Sequence, residues 1–233
     1  MIKAVWALAG LALFVPIPAL AAMDARPSAS ATAEISSAKA PDHPARDRSP
    51  AASRVIDWIA SSGDNRSLPY IVVDKTAAAA FLFDAQGNIL ADAPVLIGIA
   101  VGDEATPGIG AKSLAEIGPA EKTTPAGRFL AKFGLAAGRQ KVLWVDYATS
   151  VAMHPIPKAN PKEKRRQRML SPTPDDNRIT FGCINVPLAF YNKGVRPQFQ
   201  KKGGYVYVLP DTKALEDVFP PLHARPLLTD ATH

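Results

Sequence analysis

The residue pattern predicts a mainly β fold: an all-β sandwich or barrel with small helical additions. Three observations predict it. Short runs of β-branched, aliphatic and aromatic residues recur from Tyr70 to Pro210. They are bounded by Gly, Pro, Asn and Asp, and with 22 prolines and 15 glycines the chain is interrupted too often for long helices. Clear helical spacing is confined to residues 51–62, where Val55, Ile56, Trp58 and Ile59 recur on one face and Gly63 follows as a stop.

Each element follows from its own residues. Tyr70-Ile71-Val72-Val73-Asp74 is a strand, joined through Lys75-Thr76 to a second at Ala79-Ala80-Phe81-Leu82-Phe83-Asp84. The run Ala77 to Ala80 taken alone reads as helix, but its neighbours argue for a β-meander. A turn at Ala85-Gln86-Gly87-Asn88 leads to Ile89-Leu90 and then to Ala93 through Gly98. Val101 to Lys122, full of Gly, Pro and charge, is expected to be an exposed loop. Gly127 to Phe133, Lys141 to Val145 and Ser150 to Met153 alternate as strands. Residues 187–202 hold a helix or turn, and Gly204 to Pro210 is a closing strand. There is no internal repeat.

The ends differ in composition from the middle. Residues 1–21 have the pattern of a signal peptide. Lys3 gives a positive start, Val5 to Val15 an apolar run, and Ala19-Leu20-Ala21 a small-residue cleavage site. Pro16 and Pro18 break the run, which is short for a bilayer span; an uncleaved N-terminal anchor is the alternative. Residues 22–50, rich in Ala, Pro, Ser and charge, read as a disordered linker. A short helix and lead-in follow at 51–66, a catalytic-type domain at 67–212 and a C-terminal tail at 213–233. The expectation is a periplasmic or wall-associated protein with no membrane span once the signal is removed. Loss of Lys3 takes the formal charge from +6 to +5, which favours anionic surroundings such as wall polymers. Nucleic acid is not expected as a partner in that compartment.

Chemistry concentrates at Thr180-Phe181-Gly182-Cys183-Ile184-Asn185-Val186-Pro187. Cys183 is the single cysteine, so it has no internal partner, and an exported chain that keeps one thiol keeps it for intermolecular pairing or reactivity. Of the four histidines, His154 alone lies inside a hydrophobic strand pattern. One thiol and one such imidazole are the minimum set for thiolate catalysis. The bland alternatives are a buried structural thiol and a satisfied core histidine. No Cys/His cluster suggests a metal, no Gly-rich loop suggests a nucleotide, and no cofactor is expected.

Thr180-Phe181-Gly182-Cys183-Ile184-Asn185, His154 upstream, and Thr124-Pro125-Ala126-Gly127-Arg128-Phe129 further upstream together resemble the L,D-transpeptidase catalytic domain, the YkuD family. The resemblance spans roughly residues 68–210. It implies a YkuD-like β-sandwich of mixed sheets with a few short helices, its active site at one end under loops. It also implies peptidoglycan stem peptides as substrate, cleaved after the third, diamino-acid residue, with an amine of another stem or of a wall-attached protein as acyl acceptor. The chain departs from the family pattern at Phe181, often histidine there, and at Pro155, where Gly or Ser is common. Its gap of 29 positions from His154 to Cys183 is also longer than the compact motif.

On this reading Cys183 is the nucleophile and His154 its base. Backbone N–H groups around Gly182 and Cys183 are candidate donors to the developing oxyanion. An acceptor is needed to fix the His154 tautomer, and a backbone carbonyl near Pro155 is the expected one. Thr180 either bonds substrate or braces the loop. Asn185 either holds a substrate carboxylate or carbonyl, or bonds the backbone beside the nucleophile. Thr124, Pro125 and Gly127 are expected to turn the chain into a strand. Residues 158–168 carry six basic side chains against the single acid Glu163, and read either as a solvated loop or as a basic lid over the site. Hydrolysis of the same thioester gives an L,D-carboxypeptidase, and a non-catalytic wall-binding module is the reading from another class.

Overall fold

Strand β1 (Tyr70–Asp74) is buried along its whole length, and its alternating side chains serve two cores. Ile71 and Val73 enter one apolar cluster, Tyr70 and Val72 another. A strand covered on both faces reads as a continuous apolar run, which is why these residues show no polar alternation. The computed structural model describes residues 46–158 and 161–224. The signal segment 1–21, the linker as far as residue 45, and residues 225–233 of the tail lie outside the described residues.

The remaining strands are β2 (Ala79–Phe83), β3 (Ile89–Pro94), β4 (Ile97–Gly98), β5 (Gly127–Leu135), β6 (Lys141–Asp146), β7 (Val151–Pro155), β8 (Arg178–Thr180), β9 (Ile184–Val186) and β10 (Gly204–Val208). Eight of them form one mixed sheet in the order β3-β2-β1-β10-β5-β6-β7-β9, and β4 pairs with β8. The β1·β10, β7·β9 and β4·β8 pairs are parallel. Leu96, just beyond β3, exchanges two backbone hydrogen bonds of 2.9 and 2.8 Å with Asn185 of β9. The two ends of the long sheet are thus laced together, and it nearly closes on itself. The fold is mostly β with few short helices, in agreement with the mixed β-sandwich expected.

Inside the curve lie Leu82, Val95, Leu143, Val151, Met153, Ile184, Val186 and Val206. Residues Phe190–Val195, a wide helical turn, and α3 (Arg196–Phe199) plug one side with Phe190, Tyr191, Val195 and Phe199. Outside, α1 (Pro50–Ser62) covers β1, β2 and β10 with Val55, Trp58 and Ile59. Its ends are set by sequence. The Ser49 hydroxyl accepts from the Ala52 N–H at 3.0 Å, Pro50 opens the first turn, and Gly63 closes the helix at φ 68°. After α2 (Arg165–Met169) and α3, the last helix α4 (Leu215–Val218) leads to Phe219 and Leu222, both buried in the outer core. Within the stretch 213–233, set apart by sequence as a tail, Phe219 and Leu222 thus pack into the outer core, flanked by partly buried Leu215 and Val218.

Two further differences from the sequence reading have simple causes. The β1–β2 turn spans Lys75–Ala78 because Asp74 Oδ1 accepts from Thr76 N, Thr76 Oγ1 and Ala77 N, an Asx turn that holds the chain open for four residues. The loop 101–122 is mostly exposed, as expected, but Asp103 and Ile109 within it are buried. Asp103 is buried because it ends in a polar cluster. Lys75 Nζ is bonded to Gly102 O, Asp103 Oδ1 and Thr124 O, with Asp211 at 3.2 Å.

Candidate active site

The parallel pairing of β7 with β9 builds the site. The register sets Met153 against Ile184 and His154 against Asn185. Met153, Val151, Ile184 and Val186 point into the inner core. Strand alternation sends His154 and Asn185 to the opposite face, side by side. Cys183 lies one residue before β9, with its Sγ near the Ser150 carbonyl and the Ala152 N–H at the start of the strand that carries His154. The sequence thus places thiol and imidazole far apart in the chain, and the β7·β9 ladder brings them to one face.

The Cys183 loop is held by small polar contacts. Thr180 Oγ1 donates to the Cys183 carbonyl at 2.6 Å and accepts from the Gly182 N–H at 3.2 Å. Of the two roles open to Thr180, bracing the loop is the one this geometry displays. The Gly182 N–H is thereby engaged, which leaves the Cys183 N–H as the candidate oxyanion donor of the two. Gly182 has φ 116°, and a Cβ there would meet the Thr123 carbonyl at 2.6 Å. Thr124 Oγ1 donates to the Gly182 carbonyl at 2.8 Å and accepts from the Gly98 N–H at 2.9 Å. The upstream Thr-Pro-x-Gly motif therefore runs directly behind the Cys183 loop.

His154 Nδ1 lies 2.8 Å from the Pro155 carbonyl, where an acceptor was expected. A carbonyl only accepts, so Nδ1 carries the proton and Nε2 carries the lone pair. Burial pushes the imidazole below its usual range; the Pro155 bond opposes this and the Arg165 charge adds to it. Burial pushes the Cys183 thiol up, against the Ala152 N–H and the Arg165 charge, which pull it down. The Sγ lies 3.8 Å from the Ser150 carbonyl, and no hydrogen bond joins it to the imidazole. Both shifts favour the uncharged thiol and the uncharged imidazole over an ion pair.

Asn185 is fully buried, and both ends of its amide are occupied. Arg165 Nη1 donates to Oδ1 at 2.8 Å, and Nδ2 lies 3.5 and 3.4 Å from the two ring nitrogens of His154. A substrate carboxylate has no access to that amide in this structure. Arg165 is the site residue that sequence reading did not single out. It lies in the basic stretch 158–168, where it is one cation among six, and only the folded position of α2 distinguishes it. Its Nε is bonded to Glu163 at 2.7 Å, and its side chain is 11% exposed. An open depression of about 420 Å³ beside it is lined by Ile156, Pro157, Lys158, Lys164 and Arg166 among others. Phe181 is exposed, with Lys122 Nζ 3.7 Å from its ring centre. Among the described residues no His/Cys/Asp/Glu group could hold a metal ion, and no helix is long and apolar enough to cross a membrane.

No family model matches the chain, and no curated protein matches it. Among solved structures it is similar to the NMR structure of the catalytic domain from E. faecium L,D-transpeptidase, with 17% identity and a TM-score of 0.34, over 60% of this chain and 95% of that one.

Proposed function

We propose that the protein is an exported cysteine L,D-transpeptidase that acts on peptidoglycan stem peptides through a Cys183 thioester. One observation carries the reading: the β7·β9 ladder presents the lone thiol and an imidazole of assigned tautomer on one face, each held by its own backbone contacts. The two motifs that resemble the family lie one behind the other, joined through Thr124 Oγ1 and the Gly182 carbonyl.

The chemistry follows from the neutral pair. As Sγ attacks the carbonyl carbon of the stem peptide, its proton moves to His154 Nε2. The oxyanion takes the Cys183 N–H. His154 then returns the proton to the departing amine, which leaves as the C–N bond breaks, and the thioester remains. An acceptor amine attacks the thioester, His154 takes the new proton, and the C–S bond breaks to restore the thiol. Because the imidazole is held neutral, it acts as a general base during attack instead of storing a thiolate beforehand. Gly182, Thr180 and Asn185 serve this reading as loop and ring supports.

Purified protein incubated with tetrapeptide-bearing wall fragments tests it by mass spectrometry. Cross-linked dimers that have lost the donor's terminal residue are expected, and none with Cys183→Ala of unchanged circular dichroism. Carbapenem-type β-lactams should add to the wild type and not to that variant. Trimmed monomers without dimers indicate the carboxypeptidase. Binding with no product indicates a wall-binding module and overturns the reading.

A further inference from the structure

Arg165 enters the site from the insertion between β7 and β9, not from either strand. Its guanidinium only donates, so the Asn185 atom facing it is the oxygen. The amide is thus orientated with its NH2 end toward His154, nearly equidistant from both ring nitrogens. A donor in that place favours a ring nitrogen with a free lone pair and disfavours a second proton. An amide turned the other way would present its oxygen and favour the imidazolium. We propose that Arg165 is a positioning residue for the Cys183–His154 pair: it fixes the Asn185 carboxamide against the imidazole and so keeps Nε2 unprotonated and ready to take the thiol proton.

Position and charge act together. The charged group that acts on both members of the pair is Arg165 on α2, and Glu163 from the turn before it holds the guanidinium Nε. Met169, the buried residue of α2, anchors that helix, so the guanidinium is not a freely swinging surface cation. The insertion that sequence reads as a solvated loop or a lid thereby becomes part of the pair's electrostatic setting. Burial dominates at both groups, lowering the imidazole and raising the thiol; the Arg165 charge acts in one sense on the two, lowering the proton affinity of each.

The inference rests on the thiol–imidazole pair of the proposed function, but its test needs no wall substrate. Cys183 is the single thiol, so iodoacetamide alkylation against pH reads it alone. The His154 ring is followed by NMR titration, assigned by His154→Gln. In Arg165→Met both pH midpoints should rise, and alkylation at pH 7 should slow roughly three- to tenfold as the thiolate fraction falls. Arg165→Lys, which keeps charge and a donor, should recover most of the loss. Asn185→Asp keeps the shape of the side chain while turning the donor into an acceptor, and should raise the imidazole midpoint. Arg165→Met and Asn185→Asp profiles that overlay the wild type overturn the proposal, and thermal melts confirm that both variants fold. A protein that makes no cross-links yet displays these shifts keeps the role of Arg165 and loses the transpeptidase reading.

Discussion

At the scale of single residues, Gly182 matters as much as the cysteine it precedes. Its φ of 116° lies in the region that favours glycine, and its α-carbon sits against the Thr123 carbonyl. Gly182→Ala must either change that backbone angle or push the Thr123 strand lead-in away. Strained backbone of this kind costs roughly 1–3 kcal/mol, and relief would move the Cys183 N–H from its place. The variant is expected to fold with a lowered Tm and to lose most acyl transfer. Near-normal kcat would mean that the loop tolerates the shift and that the Cys183 N–H is not the oxyanion donor. Cys183→Ala, by contrast, removes chemistry without strain and should leave Tm almost unchanged.

At the scale of elements, the segment ahead of β5 is the brace of the site. Gly98 on one side and Gly182 on the other let residues 122–124 pass between them; a Cβ on Gly98 would lie 2.2 Å from the Lys122 carbonyl. Thr124 Oγ1 then ties the two flanking segments by bonding the Gly98 N–H and the Gly182 carbonyl. Thr124→Val keeps the volume and removes both bonds. Each orphaned buried group costs about 1–3 kcal/mol, so chemical denaturation should register a clear loss of stability. The nucleophile loop should loosen with it, lowering kcat more than it raises KM. A variant with wild-type stability would mean water replaces the hydroxyl and the brace is dispensable.

At the scale of the whole molecule, charge acts in two ways. Inside, Lys75, Asp103, Asp211 and Arg178 form a buried network that ties the β1–β2 turn, the loop after β4, and the segment after β10. Burial alone would raise the Asp103 pKa. The N–H groups of Asp211, Lys213 and Thr212 and the Lys75 ammonium outweigh it and hold the carboxyl well below the usual range. A depressed folded pKa means stability that is present above the unfolded value of about 3.9 and lost as pH falls below it. Acid unfolding monitored by fluorescence should therefore begin below about pH 4, and Asp103→Asn should flatten that dependence while lowering stability at pH 7. An unchanged acid limb in Asp103→Asn would remove the network from the account. Outside, Lys158, Lys164 and Arg166 are exposed around the depression beside the site. The stem peptides of the proposed function carry carboxylates, so on that reading these cations should speed encounter, an effect screened over a Debye length of roughly 8 Å at physiological salt. Changing the three to Gln, with Arg165 kept, should lower kcat/KM at low salt and flatten its salt dependence. Equal kcat/KM at low ionic strength would reduce the insertion's surface to a solvated face.

Much of this protein is legible before folding. Local patterning marks the strands from Tyr70 to Met153, the closing strand from Gly204 and the helix over 51–62, because alternation, turn residues and caps act within a few neighbours; β8 carries no such pattern and shows only in the fold. The lone thiol and the single histidine in a strand pattern nominate Cys183 and His154, since both facts are counts along the chain. Local rules could not determine that β7 and β9 run side by side, that Leu96 laces the sheet closed at Asn185, or that Phe219 and Leu222 complete a core begun at Val55. Those pairings depend on contacts between residues remote in sequence, and a charge run carries no mark of which cation will be folded inward. Arg165 was one of six basic residues until α2 set its guanidinium on the Asn185 oxygen. Tertiary structure alone selected it, because direction and burial, not residue type, decide which charge reaches the imidazole.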